Sequence, residues 1–159
     1  DILYSKGSLS RSIACIYLSP LFWPVNRNPV PVSSVNTNVG VALNGVVLAA
    51  PAPVEAILGA YTIAAFDDCA GHINLVAGYH YHGEAGCSQT QIQSDGHAAM
   101  MGYALDGFGI FGMLNEDGLE PTDLDECRGH TDDTRGYHYH AADVSENMFI
   151  GCFKGATAR

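Results

Sequence analysis

Along this chain the apolar positions come in short runs that alternate with polar ones, and glycines punctuate them. The run Gly40-Val41-Ala42-Leu43-Asn44-Gly45-Val46-Val47-Leu48 is two apolar arms around Asn-Gly, a strong hairpin signal because both turn residues tolerate positive φ. It returns as Gly102-Tyr103-Ala104-Leu105-Asp106-Gly107-Phe108-Gly109-Ile110, 62 residues later. Gly78-Tyr79-His80-Tyr81-His82 and Gly136-Tyr137-His138-Tyr139-His140 alternate residue by residue, the period of a strand. From Pro53 to Phe66 the spacing changes: Val54, Ile57, Leu58, Tyr61 and Ala65 share one helical face, with proline in the first turn, which predicts a short helix. Residues 1–36 are broken by Pro20, Pro24, Pro29 and Pro31, which forbid a long helix or a central strand. An N-terminal arm or edge strands are expected there, with room for a protein partner to dock.

The pattern is duplicated beyond the hairpins. Residues 66–82 align without a gap on residues 124–140, and nine of 17 positions are identical, Asp67/Asp125, Cys69/Cys127, Gly71/Gly129 and His72/His130 among them. Each unit runs hairpin, connector, Cys-x-Gly-His, Gly-Tyr-His-Tyr-His, cysteine. Unit one spans about 39–87 and unit two about 101–152, within a domain of residues 37–159. A unit of this size cannot cover its own apolar faces, so two copies packed together are expected. The predicted fold is mainly β: antiparallel sheets from two duplicated, pseudo-symmetric units, with a short helix in the first connector.

Composition narrows the functional classes. With 47% hydrophobic and 15% charged residues, the chain reads as an ordered globular domain. Its net charge of −10 argues against nucleic acid, which needs a basic surface. The apolar runs Ile13–Val25 and Val39–Val54 are interrupted by Pro20, Pro24, Asn44 and Pro51. Neither supplies the roughly 20 unbroken apolar residues of a membrane-spanning helix. Cysteines 69, 87, 127 and 152 flank the two copies equivalently, favouring Cys69–Cys87 and Cys127–Cys152 among the three possible pairings, while Cys15 has no counterpart. Such bridges imply an extracellular, periplasmic or organelle-lumen location. Thiolate ligation of zinc is the rival use of these sulfurs. The acidic stretch Asn115–Glu126 matches no calcium loop and reads as solvated.

Six of the seven histidines lie inside the duplicated stretches. On a strand His80 and His82 point to one face while Tyr79 and Tyr81 point to the other, as do His138 and His140 against Tyr137 and Tyr139. If the copies bring those strands side by side, four imidazoles converge on one ion, with His72 and His130 as third ligands or supporting partners. Imidazole suits zinc and copper. Asp67 and Asp125 could orient a ring nitrogen. His97, in Ser94-Asp95-Gly96-His97, lies outside the copies and reads as a loop residue, and Asp106 as a turn residue in place of Asn44.

The chain resembles the YHYH-domain family in Gly40–Val46, Phe66–His82, Gly102–Gly112, Leu124–His140 and Phe149-Ile150-Gly151-Cys152-Phe153-Lys154-Gly155. It departs from the family's usual proline and tyrosine at Gly109 and Phe111, and at Asn147-Met148, which touches packing residues more than histidines. The resemblance implies the fold unit and secretion and carries no reaction with it. The expected function is a secreted or luminal, disulfide-stabilised domain binding zinc or copper through His80, His82, His138, His140, His72 and His130. Two alternatives remain: a structural or interaction subunit of a larger assembly with bracing histidines, and a metal-dependent hydrolase or lyase.

Overall fold

The computed structural model describes residues 25–32, 38–59, 66–75 and 77–157. The expectations for residues 1–24, and for Tyr61 and Ala65 on a helix, fall outside that set. The architecture is mainly β. Two strands, β1 (Val25–Pro31) and β10 (Cys152–Gly155), pair antiparallel in a small sheet of their own. The other eight form one sheet: β2 (Gly40–Ala42), β3 (Val47–Leu48), β4 (Gly71–Asn74), β5 (Gly78–Tyr81), β6 (Met100–Ala104), β7 (Gly109–Phe111), β8 (Gly129–Asp132) and β9 (Gly136–His140). A six-residue helix, α1 (Val54–Gly59), follows β3, and a 3-10 turn occupies Val144–Glu146.

The hairpin glycines adopt the expected positive φ, 84° at Gly45 and 91° at Gly107. In the first turn Asn44 also accepts a hydrogen bond from the Val46 amide at 3.1 Å. Strand order across the large sheet is β4-β5-β3-β2-β6-β7-β9-β8. Matched at offsets of 62 and 58 residues, β2, β3, β4 and β5 correspond to β6, β7, β8 and β9, so the order reads the same inward from either edge. The sheet is mixed and not purely antiparallel: β3 runs parallel to β5, and β7 parallel to β9. The reason is topological. Each connector leads first to an outer strand, β4 or β8, and the return strand of that hairpin then runs in the same direction as β3 or β7.

The core is built from Val39, Leu48, Met101, Ile110, Tyr139, Phe149, Ile150 and Phe153, all at most 1% exposed. Disulfides join Cys69 to Cys87 and Cys127 to Cys152, so none of these sulfurs is a thiolate ligand. Closing loops of this length contributes about 3 kcal/mol each. Three of the six acids in the 115–126 stretch pair with basic side chains: Glu120 with Arg128, Asp123 with His130 and Asp125 with Lys154.

The centre of the large sheet is the β2–β6 pair, where Gly40 faces Ala104 and Ala42 faces Gly102. A Cβ on Gly102 would run into the Val41 carbonyl oxygen, and one on Gly40 into that of Tyr103. Backbone on both sides leaves no flexible atom to yield. Gly102→Ala is therefore expected to cost about 1–3 kcal/mol, the usual range for overpacking. Thermal unfolding would show this as a melting temperature lowered by roughly 3–10 °C. An unchanged melting temperature would mean the two strands are not in close contact.

Candidate metal centres

Each Tyr-His-Tyr-His strand supplies two imidazoles through its alternation, and the neighbouring strand supplies a third. In the β4–β5 hairpin His72 lies opposite His80, and in β8–β9 His130 lies opposite His138. Residues opposed across a strand pair share a face. A glycine precedes each of these upstream histidines because a tyrosine crosses over it. A Cβ at Gly71 would fall 2.5 Å from the Tyr79 hydroxyl, and one at Gly129 would strike that of Tyr137.

Three imidazoles gather in the first centre. His72 Nε2 is 2.9 Å from His80 Nε2 and 3.3 Å from His82 Nε2. The second centre gathers four. His130 Nε2 is 3.0 Å from His138 Nε2 and 3.2 Å from His140 Nε2, while His97 Nε2 is 2.9 Å from His138 Nε2. The expected six histidines thus divide between two points, because β3, β2, β6 and β7 separate β5 from β9. One shared four-imidazole site of His80, His82, His138 and His140 does not form. His97 is the residue that sequence reasoning missed. Its signal was the odd count of seven histidines and a position three residues ahead of the second hairpin.

The other ring nitrogens explain the orientation. Nδ1 of His80 and of His138 donates to the carbonyls of Gly78 and Gly136, each at 2.9 Å. His82 Nδ1 donates to Ala50 O at 2.7 Å and His140 Nδ1 to Gly112 O at 2.9 Å, the equivalent carbonyls at the 62-residue offset. His97 Nδ1 donates to Ala98 O at 3.0 Å, and His130 Nδ1 to the Asp123 carboxylate at 2.8 Å. A carbonyl only accepts, so Nδ1 carries the proton and Nε2 of a neutral ring presents a lone pair. Asp123, not Asp125, therefore orients a ring. Asp67 and Asp125 take the hydroxyls of Tyr79 and Tyr137 and their own turn amides.

Burial favours the neutral form of five of the rings. It depresses His138 to about 4 and His140 to about 3, and it lowers His72, His82 and His97 as well. Lone pairs about 3 Å apart in neutral rings repel. Four nitrogens bound tetrahedrally at about 2.0–2.1 Å to one ion would stand about 3.3 Å from one another. The observed separations of 2.9–3.3 Å lie at or somewhat below that edge length. Both histidine sets could hold a metal ion. The cysteine pair near Glu126 could not, because both sulfurs are in a disulfide.

A family model described as YHYH protein matches residues 23–123, more than half of the chain. No curated protein and no solved structure matches it.

His138 and His140 also set a pH dependence for the metal-free protein. Their folded values are depressed, whereas an unfolded histidine takes up its proton near 6.5. Their contribution to stability is therefore complete above about pH 6.5 and is lost as pH falls towards about 4. Urea unfolding of chelator-treated protein from about pH 7.5 to about pH 4 should show a declining midpoint. His140→Gln should flatten that decline.

Proposed function

The chain belongs to the YHYH protein family, and from that premise we propose that it is a secreted or luminal domain binding two transition-metal ions, zinc or copper. One ion is held by His72, His80 and His82, and the other by His97, His130, His138 and His140. The observation that carries this reading is the inward set of Nε2 lone pairs, 2.9–3.3 Å apart, in rings whose Nδ1–H groups are mostly committed to carbonyls or a carboxylate. Bracing and ligation use different nitrogens. A ring tied to the main chain through Nδ1 is thereby aimed for coordination through Nε2, the usual arrangement around a ligating imidazole.

The matching strand order of the two halves supports reading the sheet as a duplicated unit with one metal centre in each copy. Two disulfides support an oxidising compartment. Among the described residues no helix is long and apolar enough to cross a membrane.

Elemental analysis of the purified protein should find two equivalents of zinc or copper per chain. His80→Gln and His138→Gln should each lose one equivalent, and the double variant both. At metal concentrations about 1,000 times the dissociation constant, each occupied centre adds about 4 kcal/mol, so chelation should lower the melting temperature by on the order of 10 °C per centre. Absence of both metals together with no thermal shift on adding either would defeat the proposal. Variants that lose stability yet keep their metal would assign the histidines a bracing role.

A further inference from the structure

We propose that the three-histidine centre keeps one coordination position for a small exogenous anion, whereas His97 closes the equivalent position in the four-histidine centre. This inference rests on the metal-binding reading and divides the labour between its two sites.

Donor count carries the argument. The chain has seven histidines, and three around His72 plus four around His130 use them all. Among the described residues no fourth donor joins His72, His80 and His82. In the segments outside that set, the sequence offers only Asp1 and Cys15 as carboxylate or thiol donors. At the 62-residue offset of the hairpins, the position corresponding to His97 is Val35, which has no donor atom. Three nitrogen ligands with a remaining position is the arrangement of reactive zinc sites, whereas four protein ligands is that of closed, structural ones.

Each centre borders a cavity with charged groups in its wall. His82 forms part of the wall of a cavity of about 450 Å³, shared with Phe66, Ala70, Ala85 and Val144 and with two carboxylates, Asp67 and Asp68. That volume suits a small molecule whose polar head meets the ion. Three neutral imidazoles leave a divalent ion its full double charge, which favours an anionic head. A cleft of about 670 Å³ also borders His97 and His130, and charged side chains line it too, Asp95, Glu116, Asp132 and Arg135 among them. Access alone therefore does not separate the centres, and the number of donors does.

The test uses cobalt(II), whose visible spectrum reports a change of ligand set, and azide as the small anion. Wild-type protein loaded with cobalt and shown by elemental analysis to hold two ions per chain is titrated with azide. One azide per chain is expected. His97→Val, which copies the residue at position 35, should bind two, with twice the wild-type spectral change at saturation. His80→Gln, retaining only the four-histidine ion, should give no azide response. Fewer than two cobalt ions in the wild type would sink the metal reading itself. Two ions with no azide response, or a response that persists in His80→Gln, would overturn the division of labour. The His80→Gln arm decides the question even if His97→Val fails to fold.

Discussion

Five pairs of imidazole Nε2 atoms lie about 3 Å apart, and wherever two lone pairs face each other a positive charge between them removes the repulsion. One proton per pair would turn repulsion into a hydrogen bond, but on His138 or His140 it would leave a charged ring in a desolvated place. His138 and His140 are at most 1% exposed, and burial depresses both far below the ordinary histidine value. A dication facing all of the nitrogens of one centre resolves every pair at once, and imidazole is a preferred ligand of such ions. The same rings are also the most buried polar groups of the sheet, so the packing of β5 and β9 is inseparable from how this repulsion is resolved.

The mixed sheet is what makes the arrangement possible. Because β3 is parallel to β5, its continuation runs alongside the end of β5, where the Ala49 amide donates to Tyr81 O at 2.8 Å and Ala50 O meets His82. The second half repeats this with β7 and β9: the Ala141 amide donates to Phe111 O, and Gly112 O meets His140. An antiparallel neighbour would present its chain in the opposite direction, and the carbonyl that aims the last histidine of each motif would not arrive there. The tyrosines secure the other face. Tyr139 is fully buried and donates to Asp106 at 2.5 Å, while Tyr79 and Tyr137 reach Asp67 and Asp125 across the glycines ahead of His72 and His130.

What could be read in advance followed from local rules. Period-2 alternation gave the faces of the Tyr-His-Tyr-His strands, Asn44-Gly45 and Asp106-Gly107 gave the hairpins, and the equivalent flanking cysteines gave the disulfide pairing. What could not be read depends on which strands become neighbours. Nothing local to Tyr79–His82 says that β3 will lie beside it in parallel, or that four strands will separate it from Tyr137–His140. His97 was hidden for the same reason. Its partners His130, His138 and His140 stand 33 to 43 residues away, and a histidine in a Ser-Asp-Gly-His loop carries no periodic signal of its own. Asp123 was submerged in a run of acids whose charge pattern resembled a solvated loop.

The two halves differ where a change of role would require it. The main-chain acceptors, the glycines under the tyrosines and the upstream histidines are the same in both. Two differences lie beside the imidazole clusters: His97 against Val35, and Asp123, which holds His130, against Ala65. Away from the histidines, Asp106 stands where the first half has Asn44. It accepts from Tyr139 and from the Lys154 and Gly155 amides, which ties the C-terminal strand onto the second half. A fourth imidazole, an anchored ring and a tethered strand all bear on the second half, whereas in the first Phe66 stacks on His72 with ring centroids 4.9 Å apart. On the metal-binding proposal, these differences give the second centre the larger donor set and leave the first with the simpler one.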